Sequence, residues 1–195
     1  MPRRATEADA MRVLILMATF NGASFLATQI DSIRNQTHVD WRLLIRDDGS
    51  NDGTPELLSA LAAAEPRIEL LDDRRGRIGV LENFSLLLEV AAARGPETVA
   101  LADQDDHWEP DKLARQTAAM AHLQHKHGDD IPCLVHCDLA VVDARMRPIS
   151  LSFVRYQGLS WPHRPPLATC LVQNHVVGCT ILANRALLDR ATPIP

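Results

Sequence analysis

The sequence predicts an α/β fold: a mostly parallel sheet flanked by helices on both faces, followed by a C-terminal subdomain. Three observations lead there. Short apolar runs alternate with longer amphipathic ones, the amphipathic runs repeat apolar residues at steps of three and four, and turn or helix-start signals separate the two kinds of segment. A chain of 195 residues, 46% apolar and 23% charged, is long enough for one substantial core.

Residues 1–10 carry charge without apolar period and read as a disordered leader. Residues 13–17 form a continuous apolar run of strand length. In 25–35, Leu26, Ile30 and Ile33 fall on one helical stripe. Residues 41–46 repeat the strand pattern. Thr54 then reads as an N-cap with Pro55 at the first helical position, ahead of Leu57, Leu58 and Leu61. A short strand at 68–71, a helix at 81–93 and a strand at 98–102 complete three consecutive strand-helix units, the signature of a parallel sheet covered on both faces. After Pro110 a helix is predicted over 111–127. The rhythm then changes to two longer strands, 133–142 and 176–183, separated by a stretch of little periodicity at 147–166. The expected organisation is a leader (1–10), a first half (11–110) and an incomplete second half (111–195).

Composition excludes several function classes. With 20 Lys+Arg against 25 Asp+Glu, the formal net charge of -5 offers no global positive field, so nucleic acid is not an expected partner. The early apolar run at 13–18 is too short to cross a bilayer. Cys133, Cys137, Cys170 and Cys179 occur without a signal-peptide pattern and read as reduced thiols of a cytoplasmic protein. His122, His125 and His127 with Cys133 and Cys137 lack the paired spacing of a zinc site, and Cys179 reads as a core residue. Neither a G-x-G-x-x-G nor a P-loop pattern occurs, which argues against a dinucleotide dehydrogenase or a P-loop ATPase.

In open parallel sheets, ligands bind beyond the carboxyl ends of the strands. The segments in those places are unusually polar: Ala18-Thr19-Phe20-Asn21-Gly22, Asp47-Asp48-Gly49-Ser50, Asp72-Asp73-Arg74-Arg75-Gly76-Arg77 and Asp103-Gln104-Asp105-Asp106. Asp103 and Asp105 lie two positions apart at a strand end, where a turn lets both carboxylates face one hard divalent cation that also meets substrate phosphates. Taken alone, the same string is more often a solvated acidic turn; its position and company favour the metal. Asp48 offers an acceptor for a base or ribose, with an Asx-turn as the plain alternative. Arg74, Arg75 and Arg77 offer charge for phosphate oxygens or for the neighbouring aspartates.

Together with Ile30-Asp31-Ser32-Ile33, Gln36-Thr37, Gly79, Asn83-Phe84, Trp108 and Pro110-Asp111-Lys112-Leu113, these ordered motifs resemble family 2 glycosyltransferases, and their form is most similar to the bacterial rhamnosyltransferase-like branch. The resemblance implies a GT-A fold, with 11–110 as the nucleotide-sugar-binding half and 111–195 as the acceptor-side half. It implies an inverting, metal-dependent transfer of a sugar, rhamnose in that branch, from a UDP- or dTDP-sugar to a saccharide or lipid-linked acceptor in envelope polysaccharide synthesis. The expected setting is the cytoplasm, at the inner face of the membrane, with peripheral membrane contact through a missing C-terminal region. Thr19 and Asn21 match the first nucleotide-contacting loop, Asp48 the pyrimidine-binding carboxylate, Asp103 the ribose-side member of the metal motif and Asp105 the direct ligand of Mg2+ or Mn2+. Arg77 is a looser match near the base and diphosphate. Asn174 and the turn at Gly178 match the acceptor-side segment, and Asp138 is a candidate acceptor contact.

One departure concerns catalysis. The family's general base is an acceptor-side carboxylate that normally follows the segment matching 176–190, so it is expected beyond Pro195. General-base assistance contributes about 10²–10⁴ in rate. The alternative is therefore a truncated, catalytically silent nucleotide-sugar-binding or interaction module.

Overall fold

The computed structural model describes residues 11–159 and 176–194. The apolar run after Arg12 becomes β1 (Val13–Thr19), followed by α1 (Ala23–Arg34), β2 (Trp41–Asp47), α2 (Thr54–Ala64), β3 (Ile68–Leu70), α3 (Val80–Arg94), β4 (Thr98–Ala102) and α4 (Lys112–His127). Beyond α4 come the short strands β5 (Leu134–Val135), β6 (Val141–Val142) and β7 (Pro148–Ser150), the turn α5 (Phe153–Tyr156), a 3-10 turn at Gly178–Thr180, β8 (Leu182–Asn184) and α6 (Arg185–Ala191).

Six strands form one sheet in the order β3-β2-β1-β4-β8-β5, and β6 pairs with β7 in a separate hairpin. β3, β2, β1 and β4 run parallel, whereas β8 lies antiparallel to both β4 and β5. The pleat sorts β1 between two cores. Val13, Ile15 and Met17 join Leu26, Ile30 and Ile33 of α1, Leu58 of α2 and Leu113 and Met120 of α4. Leu14 and Leu16 face the other way, to Leu87 and Ala91 of α3 and Leu188 of α6. Residues two apart share a face of a strand, so one continuous apolar run supplies both layers. The mostly parallel sheet with helices on both faces is the predicted architecture.

The chain builds outward from β1 through β2 to β3, then returns across the sheet to place β4 on the other side of β1. A topological switch point therefore lies between β1 and β4, where a crevice opens beyond the strand ends.

Three local expectations need correction. Thr54 is not the N-cap of α2: Gly53, at φ 90°, takes that place, and Thr54 is the first helical residue. Its buried hydroxyl instead donates to Asp52 at 2.6 Å and accepts from the Gly22 N–H at 2.9 Å. The long strand expected at 133–142 is two two-residue strands. Its start is claimed by Asn184, whose Oδ1 accepts from the Cys133 N–H and whose Nδ2 donates to the Ile131 carbonyl. The strand expected at 176–183 is reduced to β8, because the 3-10 turn before it is held by the Thr180 hydroxyl on the Val177 carbonyl and by Gln116 on the Thr180 carbonyl.

Candidate functional site

Beyond the ends of β1 and β4 lies a cleft of about 400 Å³ whose walls include Thr19, Phe20, Asp48, Arg77, Asn83, Asp103, Gln104 and Asp105. Five of the residues singled out in the sequence thus meet in one place: Thr19, Asp48, Arg77, Asp103 and Asp105. Asn21 is not on that wall. At φ 50° its backbone turns back to the neighbouring loop, its N–H donating to Ser50 Oγ at 2.8 Å and its Oδ1 accepting from the Asn51 N–H at 3.0 Å. It staples two rim loops together. Asp138 lies in a different hollow, Gly178 on the 3-10 turn, and Asn174 and Cys170 lie outside the described residues.

Gln104, between the two aspartates, explains how the rim is assembled. Its Oε1 accepts from the Phe20 N–H at 2.9 Å and its Nε2 donates to the Phe20 carbonyl at 3.1 Å. β4 ends in its ladder with β1 at Met17↔Ala102, and the Gln104 amide supplies the next pair of backbone-like hydrogen bonds. Glycine at 22 leaves room for this contact, since a Cβ there would overlap the Gln104 amide and push it off the Phe20 backbone. Phe20 in turn lies under the Arg77 guanidinium, 4.2 Å from ring centroid to Cζ.

Asp48 does more than face the cleft. Its Oδ1 accepts from the Arg46 guanidinium at 2.9 Å and from the Ile78 N–H at 2.7 Å, and its Oδ2 from the Gly79 N–H at 2.8 Å. Burial pushes its carboxyl upward, but these two N–H groups and Arg46 outweigh that effect and hold it below the ordinary value. Arg46, only 1% exposed, also binds Asp73 and the Gly76 carbonyl. The loop from Asp72 to Gly79, which carries Arg77, is therefore folded around one buried cation. Arg75 adds a longer ion pair to Asp73 at 3.7 Å.

The segment after the acidic motif is fixed from the C-terminal end of α1 and the residues that follow it. Ser32 Oγ accepts from the Trp108 N–H, while Gln36 donates to the Glu109 carbonyl and accepts from the Leu113 N–H, capping the first turn of α4. Thr37 N–H donates to the Pro110 carbonyl.

The acidic loop itself divides. Asp105 is exposed at the cleft, whereas Asp103 and Asp106 approach Cys179, the ligand atoms of the three lying within 4.8 Å of one another. Burial raises the carboxyls of Asp103 and Asp106 above their ordinary value, and neighbouring aspartates reinforce the rise. Burial, with Asp106 beside it, likewise pushes the Cys179 thiol up. Cys179 is buried, as expected, but at the edge of the site. Lys112 answers this charge: its ammonium lies 3.5 Å from the centroid of the Trp108 ring, and burial lowers it to about 8 against the pull of Cys137, Cys179 and Asp106. Asp103 and Asp106, with Lys112 nearby, make a hard-oxygen donor pair short of positive charge, which fits a divalent cation, and Asp105 stands exposed beside them at the cleft. Sequence reasoning missed Gln104, Asp106 and Lys112 as members of the site, although all three stand inside the quoted motifs.

Among the described residues no helix is long and apolar enough to cross a membrane. Residues 14–161 match the sequence profile of glycosyl transferase family 2. The UDP-Glc:alpha-D-GlcNAc-diphosphoundecaprenol beta-1,3-glucosyltransferase WfgD of Escherichia coli is 31% identical over 112 residues, covering 57% of this chain and 42% of that protein. The structure of Staphylococcus aureus TarS 1-349 in complex with UDP-GlcNAc is similar at a TM-score of 0.62 and 16% identity, covering 92% of this chain and 47% of that one. The mannosyltransferase PcManGT of Pyrobaculum calidifontis, in complex with GDP-Man and Mn2+, is similar at a TM-score of 0.62 and 21% identity, over 94% and 47% of the two chains. The chain spans less than half the length of each of these proteins, and at such identities the structural likeness shows a shared GT-A fold. With the profile match covering most of the sheet and the acidic rim, the chain belongs to glycosyl transferase family 2.

Proposed function

We propose that the chain forms the donor-binding part of an inverting, metal-dependent glycosyltransferase, which moves a sugar from a UDP- or dTDP-sugar to a saccharide or lipid-linked acceptor in envelope polysaccharide synthesis. Rhamnose is the sugar proposed from the motif form, and the cytoplasmic face of the membrane is the proposed setting. The observation that carries this reading is the convergence of Asp103, Asp105, Asp48 and Arg77 on one cleft at the switch point of a parallel sheet. The neighbours that hold UDP-GlcNAc or GDP-Man with Mn2+ share this fold and support it.

In this reading Asp103 and Asp105 hold Mg2+ or Mn2+, which when bound supplies Lewis-acid stabilisation of the departing diphosphate. Thr19 and Phe20 form the wall beside the nucleoside, and Asp48 accepts from it while anchoring the loop of Arg77. Arg77 adds positive charge for phosphate oxygens. Asp138, Asn174 and Gly178 are proposed for the acceptor side.

The second reading, a nucleotide-sugar-binding module without transfer activity, is favoured by one observation. Among the described residues the carboxylates on the cleft wall are Asp48, Asp103 and Asp105; in this reading Asp48 holds the loop and the other two the metal, so none of them is left to deprotonate an acceptor hydroxyl.

Calorimetric titration with UDP and dTDP, with and without Mn2+, tests the proposal. Metal-dependent binding that disappears in Asp105→Ala supports it, and absence of binding by either nucleotide refutes it. Release of free sugar or transfer above background separates the first reading from the second.

A further inference from the structure

Two adjoining hollows, of about 330 and 450 Å³, lie away from the donor cleft and share Asp138, Ser152 and Arg155 on their walls. Volumes of this order suit a small ligand. The polar groups are pre-set. Asp138 Oδ1 accepts from the N–H groups of Leu139, Phe153 and Val154, at 2.8, 3.1 and 3.2 Å. A carboxylate has about four lone-pair sites, so acceptor capacity remains after these bonds. Arg155 is exposed and, among the described residues, forms no ion pair, leaving its guanidinium donors for a ligand. Leu151, 83% exposed, and Val154 supply an apolar wall beside them.

The place of this hollow is as telling as its lining. Cys137, on its wall, acts on the Lys112 ammonium, as do Cys179 and Asp106, while the ammonium itself donates to Gln116 Oε1 at 3.3 Å. Cys179 and Asp106 in turn cluster with Asp103 at the donor cleft. One half-buried lysine therefore interacts with groups at both sites.

We propose that this hollow is a sugar-binding subsite for the acceptor, selective for an uncharged pyranose whose hydroxyls donate to Asp138 and accept from Arg155 while its C–H face rests on Leu151 and Val154. The assignment rests on the glycosyltransferase reading above. It goes further in naming the class of acceptor group. One fixed carboxylate against one guanidinium leaves no excess of positive charge, so a phosphate or uronate would meet Asp138 at the cost of like-charge repulsion.

The test is ligand-observed saturation-transfer NMR on the full chain with methyl glycosides of glucose, N-acetylglucosamine and rhamnose, and with glucuronate, each at up to about 10 mM, a range that captures weak binding. At least one neutral glycoside is expected to bind, to remain bound in the presence of saturating UDP and Mn2+, and to bind about tenfold more weakly in Arg155→Ala, as expected for loss of a charge-assisted hydrogen bond. Arg155 is a surface residue, and the variant's unchanged melting temperature serves as the folding control. Absence of any glycoside signal, displacement by the nucleotide, preference for glucuronate, or indifference to Arg155→Ala would each overturn the assignment. Nucleotide titration of the same sample reads the donor site separately, so failure of the subsite and failure of the glycosyltransferase reading are distinguishable.

Discussion

Replacing Asp48 by alanine removes three hydrogen bonds from a carboxylate that is only 3% exposed, and strands two backbone N–H groups together with part of a guanidinium that is 1% exposed. Removing one partner of a buried ion pair costs about 3–5 kcal/mol, because the remaining charge stays desolvated. Arg46 keeps Asp73 and the Gly76 carbonyl, which places the expected loss near the lower end, about 3 kcal/mol. For a chain of this size that corresponds to a fall in melting temperature of about 6–12 °C. Urea unfolding followed by circular dichroism measures it directly. Asp48→Asn retains the shape and one acceptor oxygen, so its loss is expected to be smaller. A loss below about 1 kcal/mol in Asp48→Ala would refute the view that Asp48 is a structural anchor of the rim, and would leave it only a ligand-facing role.

The remaining predictions concern the same scaffold. Gly22→Ala is expected to destabilise by about 1–3 kcal/mol through overlap with the Gln104 amide, and to cost little in a Gln104→Ala background, so a double-mutant cycle on unfolding free energies should show strong coupling. Additive losses would contradict the proposed steric cause. Gln36→Ala leaves the Leu113 N–H without its partner and takes one of two donors from the Glu109 carbonyl, which keeps the Lys112 N–H, and is expected to cost about 1–3 kcal/mol, read as a lowered urea midpoint with an unchanged slope. Glu65, held by Arg67 far below its ordinary 4.5, at about 2, contributes stability that is present above pH 4.5 and lost as the pH falls toward 2. Acid titration of stability should therefore be flatter over that window in Glu65→Gln, and an identical profile would exclude the Glu65–Arg67 contribution.

The strand-helix alternation, both core faces of β1 and the acidic rim were legible in the sequence because each depends on short spacings. A continuous apolar run feeds two faces at period two, and Leu26, Ile30 and Ile33 lie on one side of a helix whatever the rest of the chain does. The strand-end rule then placed Thr19, Asp48, Arg77 and Asp103 on one rim before any contact was known. Asn21 shows where that rule stops: it sits in the right loop, yet its side chain and backbone are spent on the loop beside it.

Tertiary structure alone decided the partnerships across long separations. Gln104 finds Phe20 across 84 positions, and Gln36 finds Leu113 across 77. Such pairs have no periodic signature, because any polar side chain at a strand end reads as a solvated turn until the opposing backbone arrives. The short β5 and β8 were beyond local reading for a related reason. Their apolar residues permit longer strands, but Asn184, Gln116 and Thr180 take the backbone groups that a longer ladder would need. Arg46 carries the same lesson. In sequence it is a charged residue ending an apolar strand, and only burial against Asp48 and Asp73 makes it the cation around which the donor-side loop folds.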